Sequence, residues 1–189
     1  MGFLDALFGR TKPVKAKLDA LFALPTAALT LEAEAGCKPA GQAGVAFKPA
    51  SGQGFVDMSK ELDELMAMSA TEFETELSTS EDSYGYRWAT LKDPDLDELV
   101  TSVHLLNSTL EQRGYDSLLL CSVFRFRTEG ANDLYLVYLY KRATFYPFAP
   151  LPGERRDNEL ELRVRGIVGR ELPIEKDLSR WFPLWGIPL

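Results

Sequence analysis

The stretch that decides the fold is Leu118–Lys141, LLLCSVFRFRTEGANDLYLVYLYK. Leu118–Arg127 and Leu134–Lys141 read as two strands around Gly130-Ala-Asn-Asp, a connection so short that they must pair antiparallel. Apolar side chains fall on both faces: Leu118, Leu120, Phe124 and Phe126 on one, Leu119, Cys121 and Val123 on the other. Strands that are apolar on both faces are interior strands. The hairpin therefore predicts the middle of an antiparallel or mixed sheet, with helices covering at least one side.

The segment before this hairpin reads as its helix. Asp93 is the expected cap, Pro94 the first helical position, and Leu96, Leu99, Val103, Leu106 and Leu110 the inner face, with Gly114 as the stop. The same helix-plus-hairpin pattern is read twice more upstream. Pro13–Leu24 is expected as a helix ended by Pro25, followed by strands Ala28–Ala35 and Val45–Lys48 around a loop at Gly36–Gly44. A helix from Asp57 through Met66 is then followed by strands Phe73–Leu77 and Tyr84–Trp88.

Downstream, Asp157–Val168 fits either a strand (Leu160, Leu162, Val164) or a helix (Leu160, Val164, Ile167, Val168). The helix is preferred, because Asp157 and Gly169 then account for its two ends. A short helix near Glu175–Arg180 leads into the tail. The expected class is α+β, built from repeated helix–strand–strand units.

Composition places the chain among ordinary globular proteins: 189 residues, 46% hydrophobic and 26% charged. We expect one α+β domain over residues 13–189, preceded by an amphipathic segment at 1–12. No apolar run approaches the ~20 residues that span a bilayer, and the start lacks the pattern of a secretory signal. Two cysteines, Cys37 and Cys121, imply neither a disulfide framework nor a metal site. A reducing, cytoplasmic location is the expectation.

The net charge of −7 is unevenly spread. Residues 1–17 hold Arg10, Lys12, Lys15 and Lys17 against Asp5, whereas 18–114 hold six basic against seventeen acidic side chains. An acidic body repels phosphate backbones, so nucleic acid is not expected as a partner. At the start, Phe3, Leu4, Leu7 and Phe8 share one helical face beside those cations. This arrangement suits contact with an anionic membrane surface, and equally a helix packed on the domain's own core. Packing is preferred, since a marginal anchor needs a second signal.

No catalytic apparatus is legible. His104 is the single histidine and reads as an ordinary helix residue, because triads are defined by geometry rather than by residue type. Gly52-Gln-Gly54 lacks the remainder of a phosphate loop. Asp63-Glu64 and Asp97-Glu98 read as solvated outer faces, and Glu159 and Glu161 among Arg155, Arg156, Arg163 and Arg165 as surface ion pairs of little worth. No enzyme activity, metal or cofactor is expected.

What remains is aromatic. Tyr140–Leu151 (YKRATFYPFAPL) and Trp181–Trp185 (WFPLW) crowd rings and prolines where loops are usually small and polar. Lys141, Arg142, Phe145, Tyr146 and Phe148 are candidate partner contacts, with core packing of the rings the preferred alternative. Trp181 should be buried against the domain, and Trp185, bracketed by Pro183 and Gly186, should be more exposed and a further partner contact.

These stretches, with the start MGFLDALFGRTKP, Leu18–Pro25 (LDALFALP), the Asp82–Tyr86 run, Arg155–Leu160 (RRDNEL) and Asp177–Gly186 (DLSRWFPLWG), resemble the PspAB family. That family is named for association with phage-shock protein A. The resemblance implies a cytoplasmic protein of bacterial envelope stress, peripheral to the membrane, and no catalytic residues. It implies as partner phage-shock protein A or a membrane protease of the HtpX type. A non-catalytic adaptor is the leading expectation. The alternative is a small-molecule or lipid-binding domain with a pocket between the sheet and the Phe145–Pro150 loop. An exposed apolar patch would favour the adaptor, and a closed apolar cavity the pocket.

Overall fold

The computed structural model describes residues 18–48, 75–130 and 132–189, together with Lys60 and Glu64. A 3-10 turn (Leu18–Ala23) runs into α1 (Leu24–Ala35), followed by β1 (Lys38–Phe47), β2 (Glu76–Glu81), β3 (Arg87–Lys92) and α2 (Leu96–Gln112). Then come β4 (Leu119–Arg127), β5 (Asp133–Leu139), β6 (Thr144–Phe148), the two-residue strands β7 (Pro150–Leu151) and β8 (Arg155–Arg156), and α3 (Asn158–Val168). Six strands form one antiparallel sheet in the order β2-β3-β1-β4-β5-β6. The class is α+β, as expected, and the β4–β5 hairpin sits inside the sheet with each strand paired on both sides.

The two apolar faces of that hairpin feed two separate cores. Phe124, Phe126, Leu134 and Leu136 pack with α1, α2 and α3 through residues such as Leu31, Val103 and Val164. Val123, Tyr135, Val137, Tyr146 and Phe148 face the other way, where the C-terminal tail covers them with Trp181, Leu184, Trp185 and Leu189. Helices protect one face and a strap of irregular chain protects the other.

The expected face assignment fails at one point. The register with β1 shifts between Ala46 and Phe47, which pair with Cys121 and Leu119, so Leu120 is a bulge. The bulge reverses the alternation: Leu118 and Leu119 join the helix side, while Leu120 and Cys121 both join the tail side.

Other expectations need larger correction. Ala28–Ala35 is helix, not strand. Pro25 stands at the first turn of α1, where a missing N–H costs nothing, so it starts a helix rather than ending one. Ala, Leu and Glu then favour helix along Leu24–Ala35, and Gly36, in the left-handed region at φ 62°, closes it by donating to Glu32.

The expected loop Gly36–Gly44 is mostly strand. Its glycines serve close approach: Gly44 lies beneath the Trp88 ring, where a Cβ would meet Cε3 at 3.1 Å, and Gly41 takes φ +67° at an irregularity in the ladder. Strands β2 and β3 lie a few residues later than expected, because Tyr84 and Tyr86 are consumed by the turn between them. The cap of α2 is Asp95, whose carboxylate accepts from Asp97 and Glu98 N–H; Asp93 instead accepts from the Asp95 N–H, and Pro94 lies outside the helix.

Asp157–Val168 is the preferred helix, capped by Asp157. The short helix expected at Glu175–Arg180 is a 3-10 turn, Leu178–Arg180. The expected helices at the start and at 57–66, Phe3, Leu4, Leu7 and Phe8, Gly52–Gly54 and Phe73 lie outside the described residues, apart from Lys60 and Glu64, which are helical.

Candidate partner-binding groove

The tail is held over the sheet by polar ties rather than by regular structure. The Trp181 indole N–H donates to the Glu175 carbonyl at 3.0 Å, and the Tyr146 hydroxyl donates to the Phe182 carbonyl at 2.9 Å. The Arg156 guanidinium donates to the Trp181 carbonyl. Arg156 also lies over the Phe148 ring, 5.2 Å from its centroid. Trp181 stacks on Tyr146 at 6.1 Å, and Trp185 meets Phe148 edge-on at 5.1 Å. Trp181 is buried and Trp185 half-buried, the order expected from their positions.

Beyond Trp181 the chain does not seal the sheet. Between the tail and the β2–β3 turn lies a groove of about 460 Å³. Its rings are Tyr84, Tyr86, Trp88, Tyr146, Phe182 and Trp185, and Leu120, Cys121 and Leu139 contribute aliphatic and thiol surface. The bulge at Leu120 is what brings both Leu120 and Cys121 to this side. Phe182 and Tyr84 are more than half exposed, at 57% and 56%, so the groove opens to solvent between them. Burial pushes the Cys121 thiol up to about 12 and the Tyr146 phenol above its ordinary range.

Asp82 organises the outer lip. Its Oδ1 accepts from the N–H groups of Tyr84 and Tyr86, each at 2.9 Å, and its Oδ2 accepts from the Trp88 indole at 2.9 Å. One carboxylate thus folds the turn and orients a groove ring. Gly85, at φ +80°, allows the reversal, and the Asp82 N–H closes it by donating to the Tyr86 carbonyl.

The residues singled out from the sequence are scattered by the fold. Tyr146, only 1% exposed at the floor, and Trp185 line the groove. Phe145 and Phe148 are fully buried β6 residues, Phe145 toward the helices and Phe148 beneath the tail, so neither offers a surface to a partner. Lys141 and Arg142 are exposed in the β5–β6 turn and do not line the groove. Arg142 pairs with Glu175, a nearly buried carboxylate that also accepts from Thr144 Oγ1 at 3.1 Å and the Asp177 N–H at 3.1 Å. The bonds from Arg142 first, and then those from Asp177 and Thr144, hold the Glu175 carboxyl below the usual range.

Sequence reasoning missed Asp82, Tyr84, Tyr86, Trp88 and Phe182 as site residues. The signal was Tyr84-Gly-Tyr-Arg-Trp88, three rings at period two beside an aspartate, read as an ordinary strand. Glu161 is no surface partner, contrary to the expectation from its arginine neighbours: it is buried, and it accepts from Arg156 Nε and from the Ala149 N–H at 2.9 Å each. His104 lies 4.8 Å from the Phe22 ring on the helix side. Among the described residues no cluster of His, Cys, Asp and Glu could hold a metal, and no helix is long and apolar enough to cross a membrane.

No curated protein and no solved structure gives a significant match to the chain. A protein-family model does, over residues 1–189, and by that match the chain belongs to the PspAB family, PspA associated protein B.

Proposed function

We propose that this protein is a non-catalytic adaptor of the phage-shock response, which holds a protein partner through the groove between the C-terminal tail and the β2–β3 turn. One observation carries the reading: a sheet face covered along most of its width opens into an aromatic groove whose rims, Tyr84 and Phe182, are exposed. Exposed apolar patches mark interaction sites, and Tyr and Trp in partly desolvated pockets are the side chains that dominate binding energy.

The family name supports PspA as that partner. The resemblance adds a membrane protease of the HtpX type as a second. Were the basic start with Phe3, Leu4, Leu7 and Phe8 to lie on a membrane instead of packing on the core, it would keep the adaptor at the cytoplasmic surface of the inner membrane. The groove's volume also falls in the range of small-ligand sites, which supports the small-molecule or lipid-binding alternative.

The test is a titration of purified phage-shock protein A from the same genome against the full-length chain. Phe182→Ser and Tyr84→Ser should weaken binding at least about tenfold without lowering the melting temperature, since both side chains are exposed. Equal binding by both variants and the parent would overturn the reading.

A further inference from the structure

The groove is chemically one-sided. Six rings line it, and among the described residues the single charged side chain on its wall is an acid, Asp82; no lysine or arginine lines it. The hairpin behind that lip balances Glu76 and Glu81 with Lys92 and Arg87, which stand opposite them in the β2–β3 ladder, and Asp82 in the turn has no base opposite it. Aromatic faces carry negative electrostatic potential and attract cations, tryptophan most strongly. A carboxylate offers about four acceptor positions, and three of those on Asp82 are taken by Tyr84, Tyr86 and Trp88. One position is left for a further donor.

We propose that the groove takes the cationic side chain of a lysine or arginine presented by the partner protein, with its alkyl stem on Leu120 and Leu139 and its head among the rings beside Asp82. This rests on the adaptor reading and specifies its partner's chemistry. The rings and aliphatic residues accept the stem, as a long cationic side chain lies along apolar surface with its head turned to polar groups. A basic partner segment matches the Asp82 carboxylate at the lip and the chain's net charge of −7, and such complementarity also speeds encounter at low salt.

The fold supplies a built-in readout, because the chain has three indoles in three settings. Trp88 and Trp185 line the groove, whereas Trp181 donates to Glu175 within the core. The probes are n-butylguanidinium, its uncharged counterpart n-butylurea, and phosphocholine, titrated against the full-length 15N-labelled protein while the indole N–H signals are followed. The expected result is a saturable shift of the Trp88 and Trp185 signals with n-butylguanidinium, Trp181 unmoved, and binding about tenfold tighter than that of n-butylurea. Asp82→Asn should remove most of that preference. Should Asp82→Asn unfold the turn, Tyr86→Leu removes a ring without touching the carboxylate and should reduce the preference by about half or more.

Equal binding of n-butylurea and n-butylguanidinium would overturn the cation proposal and leave a purely apolar dock. Tighter binding of phosphocholine would overturn it in favour of a lipid headgroup. No shift with any probe would overturn it as well. None of these results touches the adaptor reading, which falls only if phage-shock protein A binds the Phe182→Ser and Tyr84→Ser variants as it binds the parent.

Discussion

Glu161, in the first turn of α3, accepts from Arg156 Nε at 2.9 Å, and the same guanidinium donates to the Trp181 carbonyl. A helix that covers one face of the sheet is thereby tied to the tail that covers the other. The pair is well shielded, with side-chain exposures of 19% for Arg156 and 3% for Glu161.

Breaking a buried pair from one side leaves the other charge uncompensated, at a cost of about 3–5 kcal/mol. Glu161→Ala should therefore cost about 3 kcal/mol, and it also frees the Ala149 N–H. In a domain of this size that lowers the melting temperature by roughly 10 °C. A loss under about 1 kcal/mol by urea unfolding would return Glu161 to the surface role read from the sequence.

Asp82 makes the corresponding prediction for the groove lip. Asp82→Ala removes three hydrogen bonds to the carboxylate, each local to the turn or to Trp88. The expected cost is about 1–3 kcal/mol, with a shifted Trp88 indole resonance while the Trp181 resonance stays in place. An unchanged Trp88 resonance would show that the ring is held by packing alone.

The legibility of this fold divides along physical lines. The β4–β5 hairpin was readable because both faces are apolar and the turn is short. Helix α3 was readable because Asp157 and Gly169 mark its ends. The reading failed at Pro25, where one residue type serves to stop a helix or to start one, and the helix-forming run Leu24–Ala35 decides between them. It failed at Gly41 and Gly44, which look like loop until Trp88 and the Asp93 backbone are placed against them. It failed at Leu120 because a bulge is a property of two strands, and the β4 sequence alone does not show its register with β1. The groove was half legible. Tyr146 and Trp185 lie in aromatic clusters that stand out in one dimension, but Tyr84, Tyr86 and Trp88 join them only once β3 pairs with β1 beside β4.

Glu175 gives a pH-dependent prediction. Its carboxyl is held below the usual range by Arg142 and its other donors, so the unfolded chain binds that proton more readily than the native protein. The stabilisation is therefore fully present above the ordinary carboxylate range. It is lost as the pH falls through the lowered native value. Glu175→Gln should show a lower melting temperature than the parent at neutral pH, with the gap closing as the pH falls below the ordinary carboxylate range. A gap that stays constant through this range would mean that the ion pair contributes nothing through protonation.

The cysteines should be inert in the folded protein. Burial pushes the Cys121 thiol up to about 12, and burial is also the main cause that raises Cys37. A thiolate is the reactive form, so neither should react with Ellman's reagent at pH 8 over minutes, and both should react at once in denaturant. Rapid reaction of one native thiol that is slowed by Phe182→Trp would instead show that a reagent entering the groove reaches the Cys121 sulfur.

The two tail tryptophans should separate folding from recognition. Trp181 is buried, stacks on Tyr146 and donates to Glu175, so truncation leaves a cavity and an unpaired carbonyl together. Trp181→Ala should cost roughly 3–5 kcal/mol. Trp185 is half-buried against one edge of Phe148 and lines the groove, so part of its surface already faces water. Trp185→Ala should cost about 1–2 kcal/mol, less than the loss at Trp181, and should weaken phage-shock protein A binding in the purified titration at least about fivefold. One unfolding curve and one titration per variant decide it. Were Trp185→Ala to unfold the protein as readily as Trp181→Ala, the distal tail would be a plug on the sheet, and its ring would lose its role in holding the partner.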